Sequence, residues 1–241
     1  MMNIMYQYIP KGKKEPLSFE LEEGVFHPTD TSGVLIEACS QAILSPKKIL
    51  DLGCGCGLVG IALAKIGLCK GAVYASDLSR EAVELACKNA ESMSIEYVAR
   101  CGSLFEPWSG EKFDVIVDDV AGISDDIAKI SSWYPQGVSC GAGRDGVKWI
   151  VRIIEQSRDY LTEGGMLIFP VLSLSNEDKI LEALKATYPS YEVLAKKDWF
   201  LPDAIAERQD ILTPLINEGS IKCRKKYGKW IWHTHIYKAN G

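Results

Sequence analysis

Four acids, a set of alternating glycines and one histidine are the residues of this chain best placed to do chemistry. Asp51-Leu52-Gly53-Cys54-Gly55-Cys56-Gly57 follows the apolar pair Ile49-Leu50 and precedes the helix-like run Leu58-Val59-Gly60-Ile61-Ala62-Leu63-Ala64. Glycine allows positive φ and close backbone approach, so a strand-to-helix turn of this kind suits a nucleotide-like ligand. Asp77 ends the next apolar run, where a carboxylate can accept both hydroxyls of a ribose. Asp118 and Asp119 end a later run, residues 113–117, where an acid can accept a hydrogen bond from a substrate N–H or O–H and take its proton. His27 carries an imidazole whose ordinary pKa suits a general base. Plainer roles compete: Asp118 can satisfy backbone donors at a strand end, and His27 can pack on Pro28.

The elements that must hold these residues follow from hydrophobic periodicity. Strands are expected at 48–52, 72–76, 95–100, 113–117, 166–171, 191–195 and 230–237. Helices are expected from Thr31 or Ser32 to about Leu44, then at 58–66, 81–92 with Ser79 as its cap, 147–161 and 177–187. Gly164-Gly165 is expected to turn the chain into the fifth strand. Residues 1–30, with Pro10, Pro16 and Pro28, are expected to be irregular. The stretch 201–229 reads as helical around 205–212 and interrupted by Pro214. Strand and helix alternate from 48 to 187, the pattern of a parallel α/β sheet. The expected organisation is a cap segment over residues 1–44 and one domain over 45–241.

Composition narrows the function classes. With 241 residues, 47% hydrophobic and 24% charged, the chain matches an ordinary globular domain. A net charge of −5 argues against general polyanion binding. No apolar run approaches the roughly 20 residues of a membrane span, and the N-terminus lacks the pattern of a signal peptide. Eight cysteines without a CxxC pair predict free thiols in a reducing cytoplasm. No metal is expected: Cys54 and Cys56 have no zinc-spaced partner pair, and His233 and His235 have no evident carboxylate or cysteine partner in the sequence, which makes them structural. The basic-aromatic run at 222–230 reads as a solvated loop or as a weak RNA contact.

Gly55-Cys56-Gly57-Leu58-Val59-Gly60 also matches the G-x-G-x-x-G of a dinucleotide site. Asp51 and the additional Gly53 oppose that reading. Acid, glycine turn, second acid resembles the S-adenosylmethionine (SAM) site of Rossmann-like class I methyltransferases. The resemblance extends to Gly24-Val25-Phe26-His27-Pro28-Thr29-Asp30-Thr31-Ser32, Gly102-Ser103-Leu104-Phe105-Glu106-Pro107 and Gly141-Ala142-Gly143-Arg144-Asp145-Gly146, which look like segments of the small-domain branch. That branch includes release-factor glutamine, ribosomal-protein and ribosomal RNA methyltransferases.

The resemblance implies a Rossmann-like, doubly wound, mostly parallel seven-stranded sheet with a reversed last strand. It implies SAM as cofactor, with Gly53, Gly55 and Gly57 admitting its methionine part, Asp51 organising the turn, Asp77 and Leu78 at the ribose, Ser103 and Leu104 at the adenine, and Thr29 and Thr31 in the cover. Ser103 stands where the family often has Asp. Relatives that methylate amines and amides end the fourth strand in Asn/Asp-Pro-Pro-Tyr, which orients the target nitrogen. This chain has Asp118-Asp119-Val120-Ala121-Gly122 instead, so the clamp does not carry over. Asp119, Asp118 and His27 are the catalytic candidates. Trp133-Tyr134-Pro135 and Trp149 are equally candidates for a substrate pocket or for core. The expected activity is methyl transfer to a protein side chain or a small molecule. The alternatives are a non-catalytic SAM-binding scaffold and an rRNA methyltransferase.

Overall fold

Part of the N-terminal segment expected to be irregular forms a hairpin, while residues 22–29 have no helix or strand. In the computed structural model, which describes residues 4–120, 122–134, 138 and 140–241, β1 (Ile4–Tyr8) and β2 (Leu17–Leu21) form an antiparallel hairpin. Pro10 and Pro16 fall in the connection, so neither removes a ladder hydrogen bond. Phe19 and Leu21 alternate inward on β2 and are buried. Asn89 fixes the hairpin to the body: its Oδ1 accepts from Glu20 N at 2.8 Å, and its Nδ2 donates to the carbonyls of Glu20 and Cys56.

Helix α1 (Asp30–Ala42) starts earlier than expected. Thr29 is its cap residue, without a side-chain capping bond, while Thr31 and Ser32 are buried in the first turn. Asp30 favours this start because an acid is stabilised in the first turn of a helix.

The alternation that follows is β3 (Ile49–Leu52), α2 (Leu58–Lys65), β4 (Val73–Asp77), α3 (Arg80–Ser92), β5 (Tyr97–Cys101), β6 (Phe113–Asp118), α4 (Asp125–Ile130), α5 (Lys148–Ser157), β7 (Leu161–Leu172), α6 (Glu177–Thr187) and β8 (Ser190–Phe200). Two short helices, α7 (Asp203–Ala206) and α8 (Gln209–Asn217), then lead to β9 (Arg224–Lys226) and β10 (Lys229–Asn240). Ser79 caps α3 as expected, accepting from Ala82 N at 3.1 Å. Pro214 lies inside α8 rather than ending it.

The sheet runs β5-β4-β3-β6-β7-β10-β8, with β9 added beside β10. β3 pairs in parallel with β4 and β6, β4 with β5, and β6 with β7. β10 is antiparallel to both β7 and β8, so the last strand is reversed. This is the Rossmann-like, mostly parallel fold of class I methyltransferases. Gly164-Gly165 does not precede the fifth strand but lies inside it. The register between β6 and β7 shifts between Phe113 and Val115, and Gly164 takes φ 68°, so the glycines absorb a bulge.

The central strands are apolar on both faces because helices cover both. Ile49, Val115, Val117 and Ile168 pack under α1, α2 and α3, whereas Leu50, Leu52, Ile116 and Leu167 pack under α5 and α6. A third cluster joins α4, α7, α8 and Trp232, with Trp133, Trp149 and Trp199 against it. Among the described residues, no helix is long and apolar enough to cross a membrane. All eight cysteines are free. Ala121 and Pro135, named in the sequence reading, lie outside the described residues.

Candidate active site

The chain leaves β3 toward β4 and β5 on one side and returns to β6 on the other. β3 and β6 therefore flank the switch point, and a crevice opens beyond their C-terminal ends. Leu52 is in register with Asp118 there, and Asp119 N donates to Leu52 O at 3.1 Å. The glycine turn and the Asp118-Asp119 pair thus leave adjacent strands side by side.

The turn is held by carboxylates from below. Asp51 is fully buried, and its Oδ2 accepts from Gly60 N at 2.9 Å while Oδ1 has no partner. Burial pushes its pKa up to about 7, with the Gly60 bond opposing and the nearby Asp119 and Asp77 adding. Asp77 reaches back across the turn: Oδ2 accepts from Gly55 N and Oδ1 from Ser79 N, both at 2.9 Å. Burial raises its pKa, and the backbone bonds oppose that. Gly53, Gly55 and Gly57 all have positive φ, at 73°, 51° and 86°. A Cβ on Gly53 would meet Val120 Cγ2 at 2.8 Å, so the turn and the segment after β6 pack too closely for a side chain.

The cleft above this turn encloses about 320 Å³. Asp77, Leu78, Ser103 and Leu104 line one end, and the backbone of Gly53 and Gly55 lines the floor. Ser76 Oγ donates to Leu104 O at 3.0 Å and fixes the turn after β5. Phe26, Pro28, Thr29, Thr31 and Ser32 come over the top from the segment before α1. Asp119 and Tyr134 line the other end, with Ile123 and Trp149.

Asp118 and Asp119 diverge. Asp118 turns inward and is 2% exposed, its Oδ1 accepting from Val120 N at 2.8 Å. It does not line the cleft and has the backbone-satisfying role, with burial pushing its pKa up to about 8. Asp119 faces the cleft and accepts from Ser32 Oγ at 2.7 Å. Burial pushes its pKa up to about 7, and the Ser32 bond opposes that. His27 is not on the cleft wall; its Nε2 is buried without a partner. Gly57 and Asp51 also lie behind the wall, supporting the turn. The remaining cofactor candidates all line the cleft.

Sequence reading missed Ser32 as a site residue, treating it as a possible cap. It also missed the partnership of Phe26 and Tyr134, whose rings lie 5.0 Å apart although they are far apart in the chain. The one sequence signal was the choice of aromatics in the cover and in the insert after β6. Trp149 combines both of its expected roles: it lines the cleft, packs on the third cluster and donates from Nε1 to Cys140 O at 3.1 Å.

Parallel sheet, switch-point crevice, glycine turn and acid at the end of β4 are the architecture of the class I methyltransferase fold. Residues 17–119 of the chain match the methyltransferase small-domain family. It is 28% identical over 169 residues to the release factor glutamine methyltransferase of Clostridium acetobutylicum, covering 64% of this chain and 58% of that one. The chain thus spans less than two thirds of that relative's length. Its fold is similar to the ribosomal protein L11 methylase of Lactobacillus delbrueckii subsp. bulgaricus, with a TM-score of 0.54, 22% identity, and coverage of 88% of this chain and 80% of that one. It is also similar to the T. thermophilus 16S rRNA N2 G1207 methyltransferase in complex with AdoMet and guanosine, with a TM-score of 0.61, 17% identity, and coverage of 98% and 50%.

Proposed function

We propose that this protein is a cytoplasmic SAM-dependent methyltransferase whose acceptor is a nitrogen of a protein side chain. The observation that carries the cofactor reading is charge. Asp77 and Asp119 line the cleft, Asp51 and Asp118 lie directly behind it, and no Lys, Arg or His lines it among the described residues. A ligand with a sulfonium and an ammonium offsets those buried acids, whereas the pyrophosphate of a dinucleotide adds to their repulsion. The donor set therefore fits SAM and opposes NAD.

When bound, SAM supplies a methyl carbon activated by its positively charged sulfur. Each oxygen of Asp77 accepts one backbone N–H and keeps a further lone pair for a ribose hydroxyl. Leu78, 69% exposed on the rim, offers an apolar contact beside it. Ser103 and Leu104 flank the adenine end. Residues 1–44 serve as the cap, with Thr29 and Thr31 over the cofactor.

Asp119 takes the substrate role. Its carboxylate, fixed by Ser32, accepts the N–H of the incoming nitrogen and turns its lone pair toward the methyl group, and with a pKa near 7 it can also remove a proton. Tyr134 and Phe26 supply the aromatic wall that the Pro-Pro-Tyr clamp provides in relatives. The protein acceptor is favoured by the release-factor and L11 relatives.

Incubation with labelled SAM and a cell extract, followed by fractionation, tests this reading. Label in protein is expected. Label in RNA alone supports the second reading, which rests on the exposed basic strand Arg224–Lys226. SAM binding without label in any fraction means a scaffold.

A further inference from the structure

His233 and His235 acquire the carboxylate partner that the sequence does not reveal. They alternate on β10, so both side chains leave the same face of the sheet. Their rings stack with centroids 4.3 Å apart. Glu177, the first residue of α6, comes down onto that face, only 7% exposed. Its Oε1 lies 2.8 Å from His233 Nε2. One ligand atom from each of the three residues lies within 4.8 Å of the others.

We propose that Glu177, His233 and His235 form a binding site for a divalent transition metal of the zinc type. Two imidazoles and one carboxylate are a zinc donor set, and three protein ligands leave a fourth position for water. Imidazole donors disfavour magnesium and calcium, which prefer oxygen ligands. Tetrahedral zinc with bonds near 2.0–2.1 Å needs donor atoms about 3.3 Å apart. The Glu177–His233 pair must therefore open slightly and His235 close in. Side-chain rotation suffices, because the main chain is already fixed: Ser173 Oγ accepts from His233 N, and Ser173 N donates to His233 O, both at 2.9 Å.

The charges around the site leave Glu177 available. Lys222 Nζ is 3.8 Å from Glu177 Oε2 but makes its closer contact, 2.6 Å, with Asp178. Arg224 of β9 engages Asp198 of β8, which is in register with His233, while Lys196 of β8 is in register with His235. None of the three ligands lines the methyltransferase cleft. The metal would instead tie the start of α6 to β10, pinning the turn after β7, whose Pro170 and Leu172 do line it.

Titration of the full-length protein with Co²⁺ and Zn²⁺ tests the site without reference to activity. One equivalent of Co²⁺ should give ligand-field absorption of a nitrogen-oxygen set, without the sulfur charge-transfer band of cysteine ligation. Zn²⁺ should displace it and raise the thermal midpoint, as a ligand specific to the folded state must. H235Q and H233Q should each weaken uptake by more than about tenfold, by analogy with the loss from weakening a metal site's support. E177Q keeps an oxygen to accept from His233 but loses the anionic ligand. It should weaken metal binding and reduce the rise in thermal midpoint that Zn²⁺ gives, measured against its own metal-free midpoint. No uptake at one equivalent, a sulfur-type spectrum, or uptake that survives in the folded H233Q/H235Q double variant would overturn the proposal.

Discussion

Ser32 Oγ, in the first turn of α1, donates to Asp119 Oδ2, just past the end of β6, at 2.7 Å. This bond joins the cover of the cleft to its chemical end. It favours the ionised carboxylate against the burial that pushes the Asp119 pKa up to about 7. Ser32→Ala removes the opposing effect, so the pKa rises further. The limb of the pH–rate profile that requires ionised Asp119 should move to higher pH, with the maximum rate changed little. Asp119→Asn should lower kcat by about 10²-fold or more, the scale of a lost general base, with a smaller effect on SAM affinity. A pH profile in Ser32→Ala that matches the wild type would show that Asp119 does not set that limb.

Asp77 separates turn geometry from ligand contact. Both of its oxygens are engaged by backbone N–H groups of the turn and of the α3 entry. Asp77→Asn keeps an oxygen for Gly55 N but loses the charge, and Asp77→Ala loses both. Calorimetry with SAM should show a loss of about tenfold in affinity for the first and more for the second, since a hydrogen bond to a charged group contributes about 1.5–3 kcal/mol. Unchanged affinity in Asp77→Ala would remove the residue from the ribose site.

Asp118 gives a prediction about stability alone. Burial pushes its pKa up to about 8, whereas the unfolded chain has an ordinary value near 4. The folded state therefore holds the proton more tightly. Its contribution is fully present below about pH 4 and is lost as pH rises toward 8. Asp51 and Asp119, both pushed to about 7, act in the same direction up to that pH. The ligand-free protein should lose stability from pH 5 to pH 8, at up to about 1.4 kcal/mol per pH unit for each such group. Asp118→Asn, which still accepts from Val120 N, should flatten the slope by about one proton. Urea denaturation at several pH values measures this, and equal slopes in both proteins would refute it.

What the sequence made legible follows from period and spacing. Alternation of apolar runs located β3 to β7, and the acid-glycine-acid pattern located the floor of the cleft, because local chain geometry dictates both. The wall was less legible. Ser32 and Asp119, or Phe26 and Tyr134, meet only after the chain has wound the sheet, so no local pattern records them. The β1–β2 hairpin was missed because Pro10 and Pro16 read as breakers, although they sit where the connection needs them. Glu177 was missed as a partner of His233 for the same reason as Ser32: the contact spans α6 and β10.

Gly60 sets two effects of opposite sign against each other. It lies in the first turn of α2, where glycine is less favourable than alanine by about 1 kcal/mol, so propensity alone makes Gly60→Ala stabilising. A Cβ there would come within 2.7 Å of Val73 Cγ1 and 2.9 Å of Asp51 Oδ2. Both neighbours are buried side chains on adjacent strands, and neither is a flexible chain end that can swing aside. Overpacking of this kind costs about 1–3 kcal/mol, and displacing Asp51 also threatens the bond from Gly60 N that positions its carboxylate. The steric effect should win. Gly60→Ala should lower the denaturation midpoint and weaken SAM binding together, because α2 must move away from β3 and carries the glycine turn with it. A stabilised variant with unchanged SAM affinity would mean that the helix moves away freely and that the close approach of α2 to Asp51 is not what shapes the turn.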